Sequence, residues 1–123
     1  WSYFQKQGRF GLGGRLPAID APNVELHKGW FDATLPEFLA RHPGPARFVH
    51  IDCDLYSSTR TVLQHLADRL IPGTIILFDE YLNYPGWEQH EFKAFQEFVK
   101  QRACNYRYLG FASADCSVVV ELA

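Results

Sequence analysis

The chain has 123 residues, 47% hydrophobic and 15% aromatic, with a formal net charge of −2. That suffices for one core and reads as a single domain over 1–123, with no basic field for nucleic acid or an anionic membrane. No apolar run nears the roughly 20 residues that span a bilayer. Cys53, Cys104 and Cys116 lack CxxC spacing and read as buried thiols in a reducing, cytoplasmic setting. The chain contains no methionine and opens on Trp1-Ser2-Tyr3-Phe4, so it reads as a processed, truncated or excised piece.

Residues 1–22 are rich in Gly and Pro and read as an irregular arm. Their glycine cluster, Gly8 to Gly14, follows Gln5-Lys6-Gln7 and leads into Arg15-Leu16-Pro17. It therefore lacks the apolar strand and the helix that flank a cofactor-binding glycine turn. Val24–His27 alternates and predicts a short strand. A short amphipathic helix follows from Asp32 to Arg41, using Leu35, Phe38 and Leu39 and stopped by Pro43-Gly44-Pro45.

Two apolar runs ending in acid come next: Arg47 to Asp54 and Thr74 to Glu80. Each predicts a buried strand stopped by carboxylates. Between them Val62, Leu66 and Leu70 recur at helical spacing over Ser57–Leu70, closed by Pro72-Gly73. Strand, helix and strand make a βαβ unit, so the two strands should lie parallel with their carboxyl ends on one edge. An aromatic loop, Tyr81 to Trp87, leads into a helix from about Glu88 to Arg102 striped by Phe92, Phe95 and Val99. Tyr106–Phe111 and Cys116–Leu122 then predict an antiparallel hairpin at the sheet edge.

The βαβ geometry brings Asp52, Asp79 and Glu80 to the crevice where open α/β sheets bind ligands. Hard carboxylate oxygens at a half-open site suit Mg²⁺, and the expectation is one shared coordination sphere. Ordinary strand-end acids facing water would carry the same pattern. Asp54 has two readings, a further acid of the crevice or a cap for the Ser57 helix.

Lys28-Gly29-Trp30-Phe31, Thr34-Leu35-Pro36, His50 to Thr59, Phe78-Asp79-Glu80-Tyr81, Gly86-Trp87 and His90-Glu91 together resemble the macrocin O-methyltransferase family of class I S-adenosylmethionine-dependent methyltransferases. The resemblance runs from about Gly8 onward, in order and spacing. It implies an α/β fold: a Rossmann-like sheet, mostly parallel with a C-terminal antiparallel hairpin. It also implies that this chain corresponds to the third strand onward and lacks the first two, with their glycine turn and ribose-holding acid. S-adenosylmethionine and Mg²⁺ are the implied cofactors, and a hydroxyl of a sugar or polyketide glycoside is the implied acceptor.

Methyl transfer to oxygen needs alignment and removal of a proton. In small catechol-type relatives a lysine serves as base three residues after the first metal ligand, but here Leu55 stands there. The catalytic candidates are therefore Asp52, Asp54 and His90, or an alkoxide activated by the metal. Gly29, Trp30 and Phe31 are candidates for flanking the adenine, with core packing as the plainer reading of both aromatics. Tyr81, Tyr84 and Trp87 could stack an acceptor or merely cover the core. Two further readings stand beside this one. One is a non-catalytic fragment that pairs with another polypeptide, either an N-terminal half or a second copy through an unpaired strand edge. The other is a haloacid-dehalogenase-like phosphatase, suggested by the acid pair Asp52 and Asp54 but lacking the motifs that should follow.

Overall fold

The computed structural model describes residues 11–123, and in it the two acid-terminated runs become β1 (Phe48–Ile51) and β2 (Ile75–Phe78). They pair in parallel, with Phe48 opposite Ile75 and Ile51 opposite Phe78. A parallel pair needs a crossover, and α2 (Tyr56–Leu66) supplies it, burying Thr59, Val62, Leu63 and Leu66. The helix ends at Leu66 rather than Leu70, because the chain leaves through a turn in which the Leu70 N–H still reaches the Leu66 carbonyl. Gly73 then adopts φ 88°, and the Thr74 hydroxyl locks the turn by donating to the Ala46 carbonyl at 2.8 Å. Asp54 does not cap α2. Leu55 is the N-cap residue, with no side-chain cap, and Asp54 turns the chain at φ 58°.

The C-terminal strands β3 (Tyr106–Phe111) and β4 (Val118–Leu122) form the expected antiparallel hairpin. β4 inserts beside β2, and the strand order is β1-β2-β4-β3. The described sheet is thus not mostly parallel: β1–β2 is parallel, while β2–β4 and β4–β3 are antiparallel.

Period-2 alternation places Ile76, Phe78, Val118, Val120 and Leu122 on one face, all buried against α2 and α3 (Glu91–Arg102). The Phe78 and Phe95 rings meet at 5.0 Å, and burying each such side chain contributes about 1.5–3 kcal/mol. α3 starts later than expected, since Gly86 at φ 82° opens a 3-10 turn (Trp87–Gln89) and His90 breaks the helical geometry. On the opposite face Phe48 is 58% exposed and His50 is exposed. β1 is therefore not the buried strand expected, and only its Ile51 is enclosed.

α1 (Phe31–Arg41) packs on α2. Val24–His27 is not a strand. A strand exists through a ladder of backbone bonds, and no described strand pairs with this segment. Instead it is tied to the end of α1. Glu25 meets Arg41 at 2.9 Å and His42 at 3.5 Å, and the His27 ring stands edge-on to Phe38 at 5.3 Å.

Candidate functional site

The Asp79 N–H donates to the Ile51 carbonyl at 3.0 Å, so the parallel ladder continues to the point where the acids begin. Asp52, Asp54, Asp79 and Glu80 therefore emerge on one edge, as the βαβ unit requires. Asp52 is exposed and the other three are half-buried. Their crowding has an electrostatic signature. Burial, reinforced by the negative charge of Asp54, Asp79 and Asp52, raises the Glu80 carboxyl above its ordinary value.

Two neighbours of Asp79 escaped the sequence reading. His50 Nε2 stands 3.6 Å from Asp79 Oδ1, and the Ser117 hydroxyl donates to the Asp79 carbonyl at 3.1 Å. His50 lies two residues before Asp52 on an alternating strand and could have been found by period. Ser117 reaches the site only through the antiparallel insertion of β4, which carries no local signal.

Oxygen donors at this edge fit a hard cation by chemistry. Among the described residues, however, no three His, Cys, Asp or Glu side chains are gathered so as to hold a metal ion. The single coordination sphere expected of Asp52, Asp79 and Glu80 is not formed by these side-chain positions, and no chemical step is assigned to a cation.

Beneath the acids lies Glu91, at 0% exposure in the first turn of α3. Its Oε2 accepts the Glu80 N–H at 3.1 Å, while Oε1 has no hydrogen-bond partner. Burial pushes its carboxyl up to about 8, opposed by the N–H groups of Glu80 and Cys53. A fully buried glutamate at a helix start looks in sequence like any first-turn acid, so only its part in the His90-Glu91 motif pointed here. His90 is the N-cap residue of α3, with a buried, unpartnered Nδ1 and its ring 6.0 Å from Tyr84. The Cys53 thiol is pushed up to about 11 by burial, which leaves it a poor nucleophile near neutrality.

The aromatic loop divides. Tyr81 is 1% exposed, in contact with Phe78, Phe92 and Phe95, and its hydroxyl pairs with Tyr108 at 3.1 Å and accepts from Gln96 at 3.2 Å. It is a core residue and offers no surface to an acceptor, which corrects its candidacy. Tyr84 and Trp87 are half-buried. The Tyr84 hydroxyl donates to the Glu80 carbonyl at 3.0 Å, and Trp87 stands edge-on to Phe92 at 4.8 Å. Tyr84 is therefore held beside Glu80, while Trp87 rests against Phe92.

At the start of α1, Trp30 is 83% exposed and Phe31 39% exposed, so neither is core. The Trp30 carbonyl accepts the N–H groups of Ala33 and Thr34, which fixes its backbone while the indole remains free to stack. A Cβ on Gly29 would lie 2.7 Å from Thr34 Cγ2. The glycine thus permits a close approach within this chain, and an exposed indole beside it fits an adenine platform.

Comparison with known proteins agrees with this geometry. Over 58 residues the chain is 40% identical to the 8-demethyl-8-(2,3-dimethoxy-alpha-L-rhamnosyl)-tetracenomycin-C 4'-O-methyltransferase of Streptomyces olivaceus, covering 47% of this chain and 21% of that protein. The apo structure of CalS11, a TDP-rhamnose 3'-O-methyltransferase of calicheamicin biosynthesis, superposes with a TM-score of 0.60 at 29% identity, covering 78% of this chain and 41% of that one. A second structure of the same calicheamicin methyltransferase gives 0.59 at 27% identity, covering 76% and 35%. The chain therefore spans well under half the length of these relatives. Methyltransferase kinship displaces the phosphatase reading. The model of the macrocin-O-methyltransferase (TylF) family matches residues 15–106, and the chain belongs to that family.

Proposed function

We propose that the protein catalyses O-methylation of a sugar hydroxyl, on a deoxysugar glycoside or a nucleotide-linked deoxysugar, with S-adenosylmethionine as donor. The observation that carries this reading is the emergence of four carboxylates at the carboxyl ends of parallel β1 and β2, in a chain of a family named for O-methyl transfer. The printed acceptors of the relatives, a rhamnosyl tetracenomycin and TDP-rhamnose, support the substrate class.

When bound, S-adenosylmethionine supplies a methyl group on a positively charged sulfur. The chain's own residues align the acceptor and accept its proton as the O–C bond forms and the methyl–sulfur bond breaks, the sulfur leaving as a neutral thioether. Asp54 and His90 are the assigned candidates for the proton, with Asp52 orienting the hydroxyl. Trp30 and Phe31 flank the adenine beside Gly29, and Tyr84 and Trp87 present a ring surface for the sugar. Magnesium, with Asp52, Asp79 and Glu80 as its donors, belongs to the proposal. The support for it is the common strand edge on which these hard oxygen donors emerge, and holding the ion would require their side chains to turn toward one another.

One observation favours a second reading, that of a non-catalytic piece completed by another polypeptide. Phe48 on strand β1 is 58% exposed. Titrating S-adenosylmethionine while following the melting temperature separates the two readings. A saturable rise supports the enzyme, because a ligand of the native state stabilises it, and no shift at millimolar donor supports the piece.

A further inference from the structure

We propose that Glu91 is the positioning residue of the acid crevice, its buried carboxyl clamping the turn that carries Asp79 and Glu80. This rests on the methyltransferase reading above and extends it to a residue that touches no substrate.

After Phe78 the chain leaves β2 and bends through Asp79 and Glu80, where strand pairing no longer supplies acceptors on both sides. The Asp79 N–H still reaches the Ile51 carbonyl, but the Glu80 N–H points inward and finds Glu91 Oε2 at 3.1 Å. An inward N–H without an acceptor is costly, so the direction of this bend depends on that one oxygen. From the far side, the Glu80 carbonyl accepts the Tyr84 hydroxyl at 3.0 Å. Glu80 is thus gripped at both backbone groups, and the carboxylate of Asp79 beside it lies 3.6 Å from His50 Nε2.

Glu91 can hold this place because α3 is itself fixed. Ala94, Phe95 and Phe98 on the same helix are buried in the core, and the Phe95 ring meets that of Phe78, at the end of β2, at 5.0 Å and a tilt of 56°. The carboxyl is therefore anchored to the strand whose continuation it orders. Packing alone does not call for an acid here. The residue is fully enclosed, and a leucine would fill similar space without an unpartnered Oε1. An acceptor atom is what the turn requires.

The test is amide hydrogen exchange at Glu80, together with steady-state kinetics, in the wild type, Glu91→Gln and Glu91→Leu. Glutamine keeps an acceptor oxygen, while leucine keeps volume and removes it. In the wild type the Glu80 amide should be protected although it lies outside any strand. Gln should preserve that protection. Leu should make exchange at Glu80 about tenfold faster or more while Ile76 and Val120 stay protected. In turnover, Leu should lower kcat with the donor KM nearly unchanged, and Gln should restore it. An unprotected Glu80 amide in the wild type would overturn the proposal, even if Glu91→Leu failed to fold. So would equal exchange in Leu and wild type, or a Gln variant as impaired as Leu. Because exchange is read without substrate, absence of methyl transfer with the exchange pattern intact would count against the function alone.

Discussion

His50 Nε2 lies 3.6 Å from Asp79 Oδ1, joining the open face of β1 to the first acid after β2. Both side chains are nearly half exposed in the described structure, at 44% and 46%. A solvated pair of this kind contributes little. His50→Gln should therefore cost about 1 kcal/mol or less, read from the denaturant midpoint. A loss of several kcal/mol would show that something covers this face in solution and takes the pair out of water.

The buried Glu91 carboxyl makes stability depend on pH in a defined sense. Its folded value, about 8, lies above its ordinary 4.5. Between those values the folded state holds a proton that the unfolded state has released, so stability falls as pH rises and levels off above about 8. Glu91→Gln mimics the neutral acid and should flatten this slope, making the variant the more stable protein at pH 8. Chemical denaturation at several pH values checks this, and an unchanged slope would assign the dependence to another group.

Much of this was legible in the sequence because it rests on short-range pattern. The acid-ended runs, the helix between them and the C-terminal hairpin are each written in apolar spacing, and their adjacency follows from crossover geometry. Val24–His27 failed because alternation marks a segment fit to be a strand, while the ladder depends on a neighbour elsewhere. Tyr81 failed because a loop of aromatics does not reveal which ring turns inward; Phe78, Phe92 and Phe95 decide that. Asp52, Asp79 and Glu80 reach a common edge as backbone positions, but their gathering into a ligand set depends on side-chain rotamers that no pattern encodes. Glu91 went unassigned because burial of a helix-start acid depends on what the strands lay over it.

The magnesium part of the proposal turns on two of these acids. Asp79→Asn combined with Glu80→Gln should abolish Mg²⁺ binding while the fold survives, since both are only half-buried and neither change opens a cavity. Calorimetric titration decides the matter. Retained affinity in the double variant would make them ordinary strand-end acids.

Among the described residues one edge of β1 is unpaired and its apolar surface is exposed, which favours association. Phe48 at 58% exposure lies on strand β1, which has β2 as its single neighbour among the described residues. This chain should sediment above the monomer mass at tens of micromolar, and Phe48→Lys should shift it toward the monomer. A monomeric wild-type chain would contradict the expectation.

The central claim, methyl transfer to a sugar oxygen through the acid edge, is tested most directly by mapping the product. The protein is incubated with methyl-labelled S-adenosylmethionine and a rhamnosylated aromatic polyketide or TDP-rhamnose, and the product is located by mass spectrometry and NMR. The account predicts one labelled methyl on a sugar hydroxyl, formed on the order of 10² times more slowly or less when Asp54 is replaced by Asn. Label on nitrogen, carbon or the aglycone, or an Asp54→Asn variant as fast as the wild type, would contradict it.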